Sequence, residues 1–247
     1  MTYCVAVRVD AGIVMLADTR TNAGMDNISR FRKLFTYEVP GERAIGILMS
    51  GNLSITQGVK TILSRAIKES ASDKDVETIL NCDSMFRVAQ IAGDAMASMQ
   101  GRYRHTIEMQ GAAADATIMV CGQRKGGKPR LYLVYSAGNF IEATADTPYF
   151  QIGEHKYGKP ILDRVITPES SLEEAVKAVC VSMDSTIRSN LSVGMPLDLA
   201  IIERDACSFR TRTRIEADDP RFAEISQSWS AALRKGFEDL PSFVDRH

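Results

Sequence analysis

Apolar and polar residues alternate along much of the first fifty positions, which is the pattern of β-strands. In the first strand, residues 2–9, the side chains of Tyr3, Val5 and Val7 share one face. Glycine, proline and aspartate separate these strands, as is typical of tight hairpin turns. The pattern predicts two antiparallel hairpins, formed by residues 2–9 with 13–18 and by residues 34–39 with 43–50.

The first hairpin needs a particular register if it is to build a site. We expect a three-residue turn over Asp10-Ala11-Gly12, with the glycine at positive φ, so that Val9 pairs with Ile13. In that register Thr2 and Asp18 lie on the same face of the sheet. A two-residue turn would move Asp18 to the other face, because side chains alternate along a strand.

After residue 50 the apolar spacing becomes helical. Ile55 to Ile67 form one helical pattern with Asn52 as a plausible N-cap, and Ile79 to Met99 form a second. A loop is expected from Gly101 to Asp115. The remaining predicted elements are strands at 116–123 and 130–136, short strands near Phe140 and Phe150, a helix over 172–191, a hairpin of 197–203 with 208–214, and a terminal amphipathic helix over 222–233.

Hairpins with helices grouped between them indicate the α+β class. Several strands are apolar on both faces, which suggests two stacked antiparallel sheets with helices on the outside. No repeat, low-complexity tract or linker interrupts the pattern. We therefore expect one domain over 1–214, with 215–247 as a helical extension packed on that same domain.

Composition narrows the function classes. The chain has 247 residues and a formal net charge of −1, so no strong field favours nucleic acid or an anionic membrane. The five cysteines form no C-x-x-C pair and read as buried, reduced residues, which is typical of a cytoplasmic protein. No signal peptide and no apolar run of about 20 residues is evident. We expect no partner nucleic acid, no membrane and no cofactor.

The second residue supplies candidate chemistry. Removal of Met1 would leave Thr2 with a hydroxyl nucleophile and an α-amine that can accept its proton, which is one recognised form of nucleophilic catalysis. A free α-amine has a pKa of about 7.7–8.0, close to operating pH. A nearby Lys33 ammonium would favour the neutral amine, and Asp18 would pair with that lysine. Gly51, where a helix begins, could offer its N–H to an oxyanion.

These positions resemble the β-type subunits of the proteasome family, in Thr2, Ala17-Asp18-Thr19-Arg20, Lys33 and Ser50-Gly51. The segments Asn22–Ser29 and Arg188–Gly194 resemble the bacterial Anbu (ancestral β-subunit) group. The resemblance implies a four-layer αββα fold of the N-terminal nucleophile hydrolases and a homo-oligomeric ring or spiral with active sites facing an inner space. It also implies Asp184 as a further acidic residue of the site.

Two segments differ from the family pattern. Gly153-Glu154-His155 stands where a Gly-Ser-Gly is usual, and Ser185-Thr186-Ile187 follows Asp184 in place of a Ser-Gly. Peptide-cleaving activity is therefore one hypothesis. An amidohydrolase acting on a smaller or modified amide, and a non-catalytic scaffold with a decayed site, are the others.

Motifs of other enzyme classes do not occur. The three histidines do not form H-E-x-x-H, which leaves a zinc protease without support, and G-x-S-x-G is missing. No P-loop occurs either, so any ATP-driven unfolding of substrates would need a partner protein. The sequence therefore favours a metal-free and cofactor-free hydrolase acting on peptide or amide substrates.

Overall fold

The computed structural model describes residues 2–22 and 28–243. Five helices and twelve strands occur in these two ranges. The strands are β1 (Tyr3–Val9), β2 (Gly12–Asp18), β3 (Arg20–Asn22), β4 (Ile28–Arg30), β5 (Leu34–Val39), β6 (Arg43–Gly51), β7 (Ala116–Arg124), β8 (Arg130–Val134), β9 (Phe140–Glu142), β10 (Tyr149–Gly153), β11 (Leu197–Glu203) and β12 (Phe209–Ile215). The helices are α1 (Leu53–Glu69), α2 (Met85–Met109), α3 (Lys159–Val165), α4 (Leu172–Ser189) and α5 (Pro220–Glu238).

Two antiparallel five-stranded sheets form the centre of the molecule. Their strand orders are β10-β1-β2-β11-β12 and β5-β6-β7-β8-β9, and β3 pairs with β4 in a separate short ribbon. Small side chains such as Cys4, Ala6 and Ala44 lie between the two sheets together with larger ones such as Met15 and Leu48. The two sheets pack face to face through this inner core, as predicted from the strands that are apolar on both faces.

Each sheet is covered by helices on its outer face. One outer core joins α1 and α2 to the second sheet, and the other joins α3, α4 and α5 to the first. Alternation along β1 divides its side chains between layers, with Tyr3 and Val5 facing α4 and Cys4 facing the second sheet. The four-layer αββα fold expected from the sequence is therefore confirmed.

The predicted three-residue length of the first hairpin turn is wrong, although Gly12 has the expected positive φ, +146°. Val9 pairs with Gly12 and Arg8 with Ile13, so only Asp10 and Ala11 form the turn. Gly12 belongs to the strand because it also pairs with Glu203 of β11. A Cβ at Gly12 would lie 2.1 Å from the carbonyl oxygen of Ile202, so the glycine permits close contact with β11.

The predicted loop from Gly101 is also largely wrong, because α2 continues to Met109. A single glycine costs a helix only about 1 kcal/mol relative to alanine, and an Arg104–Glu108 ion pair of 2.8 Å supports the last turns. Ile79 lies before this helix, whose N-cap is Ser84. The five cysteines are all buried and unpaired, as predicted.

The C-terminal helix packs against α4. Phe222 joins the outer core of the first sheet, and the Arg188 guanidinium donates to Ser226 Oγ at 2.8 Å. Strand β12 ends at Ile215, one residue beyond the predicted division at 214. That division of the chain stays a prediction.

Candidate active site

A buried ion pair lies where β2 ends and β5 begins. Lys33 Nζ donates to Asp18 Oδ1 at 2.7 Å and to the Arg20 carbonyl at 2.5 Å. The Asp18 side chain is fully buried and that of Lys33 is 7% exposed. An ion pair so far removed from water interacts strongly, because little solvent screens it.

Asp18 binds three separate segments of the chain. Besides Lys33, its Oδ1 accepts from the Tyr3 N–H at 2.9 Å and its Oδ2 accepts from the Gly194 N–H at 3.3 Å. Burial raises the pKa of this carboxyl, and the Lys33 ammonium and the two N–H donors oppose that rise. The carboxyl thus fixes the start of β1, the lysine and the loop after α4 relative to one another.

The two-residue turn does not separate Asp18 from the site. Continuing the observed register places it opposite Tyr3, and Thr2 is one position further along. Because Asp18 is the last residue of β2, its carboxyl can contact the backbone N–H of Tyr3 at the end of the strand. The contact between Asp18 and the start of β1 therefore does not depend on Asp18 and Thr2 sharing one face of the sheet.

Thr2 is held by the end of β10. Its carbonyl accepts from the Glu154 N–H at 2.7 Å. Gly153 has φ of +83°, and a Cβ there would lie 2.0 Å from the Thr2 carbonyl oxygen, so only glycine allows this approach. Met1, whose removal the chemistry requires, lies outside the described residues.

A cavity of about 760 Å³ opens beside Thr2. Lys33 and Gly51 line it as well, so three of the five predicted site residues border one space and Asp18 contacts one of the three. Phe35 and Met49 contribute apolar wall. The arrangement places a hydroxyl, an ammonium and a backbone amide around a space large enough for part of a substrate.

Comparison with known proteins identifies the family. The family model described as proteasome subunit matches residues 2–202. The chain is 41% identical to Anbu (ancestral beta-subunit) from Yersinia bercovieri, with a TM-score of 0.90 and coverage of 99% of this chain and 100% of that one. This chain belongs to the proteasome subunit family, in its Anbu group. Among curated proteins none matches.

Two further Anbu structures are similarly close. A Gly-1 mutant from Hyphomicrobium sp. strain MC1 is 45% identical, with a TM-score of 0.89 and coverage of 99% and 100% of the two chains. The structure described as the helical assembly of the Anbu complex from Pseudomonas aeruginosa is 43% identical, with a TM-score of 0.91 and coverage of 98% of each chain. Two segments suggested the Anbu group. One of them, Asn22–Ser29, includes residues 23–27, which lie outside the described residues.

Asp184 is not brought to the cavity with the other predicted residues. It lies on α4, and its Oδ2 accepts from Arg188 Nε at 3.0 Å, one turn further along the helix. Arg188 in turn contacts α5. Ser182, on another side of α4, instead bonds the hydroxyl of Tyr3 at 2.6 Å. In this Anbu chain Asp184 therefore binds Arg188 within α4, and Arg188 connects α4 to α5.

Sequence reasoning missed a polar pair beside Thr2. Asn190 Nδ2 donates to Glu154 Oε2 at 3.1 Å, and Glu154 is only 9% exposed. The same Glu154 holds the Thr2 carbonyl through its backbone. The unusual Gly153-Glu154 segment was a visible signal, whereas the partnership with Asn190 follows only from the fold.

The described residues contain neither a metal-binding cluster nor a membrane-spanning helix. In the ranges 2–22 and 28–243, no group of three or more histidine, cysteine, aspartate or glutamate side chains is arranged to hold a metal ion. None of the helices in those ranges has the length and apolarity needed to span a bilayer.

Proposed function

We propose that this chain is an N-terminal threonine hydrolase that cleaves peptide or amide bonds inside a self-assembled oligomer. The observation that carries the proposal is the buried Lys33–Asp18 pair of 2.7 Å at a cavity that Thr2 also lines. Family membership supports the hydrolase class. The nucleophile would be Thr2 Oγ once Met1 is removed.

In the first step the Thr2 α-amine, directly or through one water, takes the proton of Oγ as the oxygen attacks the substrate carbonyl carbon. A tetrahedral oxyanion forms, and the backbone N–H of Gly51 would stabilise it. The C–N bond then breaks, and the ammonium of Thr2 gives its proton to the departing amine. The products are a free amine and an ester between the acyl group and Thr2.

In the second step a water molecule attacks the ester carbonyl while the same α-amine accepts the water's proton. The C–O bond to Thr2 breaks, and Oγ recovers a proton from the ammonium. A carboxylic acid leaves and the free threonine returns. One base thus serves both half-reactions, because it is restored at the end of each.

Lys33 and Asp18 would act on Thr2 through charge. An ammonium next to the terminal amine disfavours the protonated amine and so keeps the base available near neutral pH. Asp18 keeps that ammonium oriented, since it accepts from Lys33 at the same oxygen that accepts from the Tyr3 N–H. Asp184, whose carboxylate binds Arg188, is left out of this proposed mechanism.

The assembly and location are further parts of the proposal. One relative is described as a helical assembly of the Anbu complex. We infer a homo-oligomeric ring or spiral in the cytoplasm, with any unfolding of protein substrates supplied by a separate ATP-dependent partner.

Covalent trapping tests the proposal. A peptide epoxyketone that closes a ring with both Oγ and the α-amine should add its mass to Thr2, and intact-mass spectrometry would show Met1 absent from the labelled chain. The variants Thr2→Ala and Lys33→Ala should not be labelled, whereas Lys68→Ala, on the exposed side of α1, should label like wild type. A chain that retains Met1 and stays unlabelled would overturn the proposal in favour of a scaffold. Labelling without cleavage of a peptide library would favour a non-peptide amide substrate.

A further inference from the structure

The cavity beside Thr2 has an uneven charge. Among the described residues that line it are three cationic side chains, those of Arg32, Lys33 and Lys60, and no carboxylate. Asp18 neutralises Lys33 from beneath at 2.7 Å. Two cations therefore remain for whatever enters the cavity.

Lys60 is the less committed of the two. It lies on α1, on the helical face that also presents Leu53, Thr56 and Gln57 to the cavity. The side chain is half-buried, and within residues 2–22 and 28–243 it has no hydrogen bond or ion pair. An ammonium that is partly removed from water without a partner is well placed to gain from an anionic ligand.

Arg32 is only loosely engaged. Its Nε lies 3.7 Å from Asp198 Oδ2, and its side chain is 60% exposed. Asp198 already has two closer bonds, from Arg214 Nε at 2.9 Å and Arg214 Nη2 at 3.1 Å. The Arg32 guanidinium can therefore turn to an incoming anion without leaving Asp198 unpaired.

The spacing fits a short reach from the reacting bond. Lys60 lies seven positions after Leu53, the first residue of α1 and two positions after Gly51, the proposed oxyanion donor; this is about 10 Å of helix at 1.5 Å per residue. That length equals roughly three residues of extended peptide at about 3.3–3.6 Å each. The walls between are partly apolar, with Phe35 and Met49, which would strengthen an ionic contact by limiting water.

We propose that this cavity selects substrates with a carboxylate side chain within about three residues of the scissile amide, and that Lys60 is the main specificity residue with Arg32 assisting. The substrate class is thus an acidic peptide or an amide of an acidic amino acid. This inference rests on the proposed hydrolase function for its biological meaning, but the cation site itself can be tested by binding alone.

Binding is measured with the full-length assembled Thr2→Ala variant, which removes turnover. The probes are the N-acetylated, C-amidated peptides Ala-Leu-Glu-Ala-Ala and Ala-Leu-Gln-Ala-Ala, which differ only in one carboxylate. Calorimetry should show about tenfold tighter binding of the glutamate peptide, equivalent to about 1.4 kcal/mol. Added Lys60→Gln should remove most of that preference, and Lys60→Glu should shift it toward a peptide with lysine at the same position.

Lys68→Gln is the matched control, because Lys68 lies on the same helix but is exposed and outside the cavity lining. It should leave the preference unchanged. Equal binding of the two peptides, or an equal loss from Lys60→Gln and Lys68→Gln, would overturn the inference. Circular dichroism and oligomer size confirm that each variant is folded.

A separate measurement keeps the two proposals apart. Wild-type protein is treated with matched epoxyketones carrying glutamate or glutamine next to the electrophile. Failure of both to label Thr2 despite selective binding in calorimetry would refute the hydrolase proposal alone. Equal labelling together with equal binding would refute acidic selection and leave the hydrolase in place.

Discussion

Replacing Lys33 with methionine removes the charge at the centre of the site and keeps much of the side-chain volume. The partner left behind, Asp18, is fully buried, and the lost ammonium stood 2.7 Å away. Removing one partner of a buried pair typically costs about 3–5 kcal/mol, because the other charge is left uncompensated. Two N–H donors still serve Asp18, so we expect a loss near the lower end of that range at neutral pH.

The loss should depend on pH. Burial raises the pKa of Asp18 and Lys33 lowers it, so the variant's native pKa is higher still. The Asp18 carboxyl of the unfolded chain has a pKa of about 3.9. At pH values between about 3.9 and the higher pKa in the native variant, Asp18 is protonated in the native state and ionised in the unfolded chain. Stability then falls as pH rises through this window. The deficit of the variant relative to wild type is therefore largest at neutral pH and shrinks on acidification.

Urea unfolding at fixed protein concentration from pH 5 to 8 measures this difference, and fixing the concentration matters because assembly shifts apparent stability. The double variant Asp18→Asn/Lys33→Met removes both charges and should recover a large part of the loss. A deficit under about 1 kcal/mol at pH 7.5, or one that is the same at every pH, would refute the reasoning that the pair is buried and mutually dependent.

Four other variants test the surroundings of Thr2 and the wider fold. Gly153→Ala should lower both folding stability and epoxyketone labelling, since its Cβ would clash with the Thr2 carbonyl. The control Gly236→Ala lies in α5 with nothing within 4 Å of the added Cβ, and thermal unfolding should show a stabilisation of up to about 1 kcal/mol. Asn190→Ala should slow labelling several-fold with little change in melting temperature, because it frees Glu154 beside Thr2; unchanged labelling would exclude that positioning role. Phe222→Ala should destabilise by about 3–5 kcal/mol in urea without altering labelling per folded chain.

The strands were the most predictable part of the fold. Alternation and turn residues gave both early hairpins, and apolar residues on both faces indicated stacked sheets. The turn at Asp10 was not predictable, because the role of Gly12 depends on its pairing with Glu203, which lies about 190 residues later in the chain. The length of α2 was missed for a different reason, since its last turns are mostly exposed and polar residues outnumber the apolar Tyr103, Ile107 and Met109 there.

Most of the candidate site was predictable because its residues lie at the ends of adjacent early strands. Asp18 ends β2 and Lys33 immediately precedes β5, so the two residues form an ion pair once these strand ends lie next to each other. Asp184 was suggested by resemblance alone. From its position on α4 its carboxylate accepts a hydrogen bond from Arg188 and does not line the cavity beside Thr2. Asn190 carried no local signal, because only the packing of the loop after α4 against the end of β10 makes it a partner of Glu154.

Thr2, the nucleophile of the proposed function, is positioned by the whole fold and not by its own hairpin. Thr2 is held through its carbonyl by Glu154, which follows it by about 150 residues along the chain, and Asp18 is held through Gly194 in a later loop. Both contacts use backbone N–H groups, which do not depend on which face a strand presents. This explains how the acid reaches the start of β1 although the hairpin register is not the one that the side-chain pattern required. It also means that Thr2 acquires its position only when β10 and the loop after α4 have docked, so its reactivity should report the completed fold.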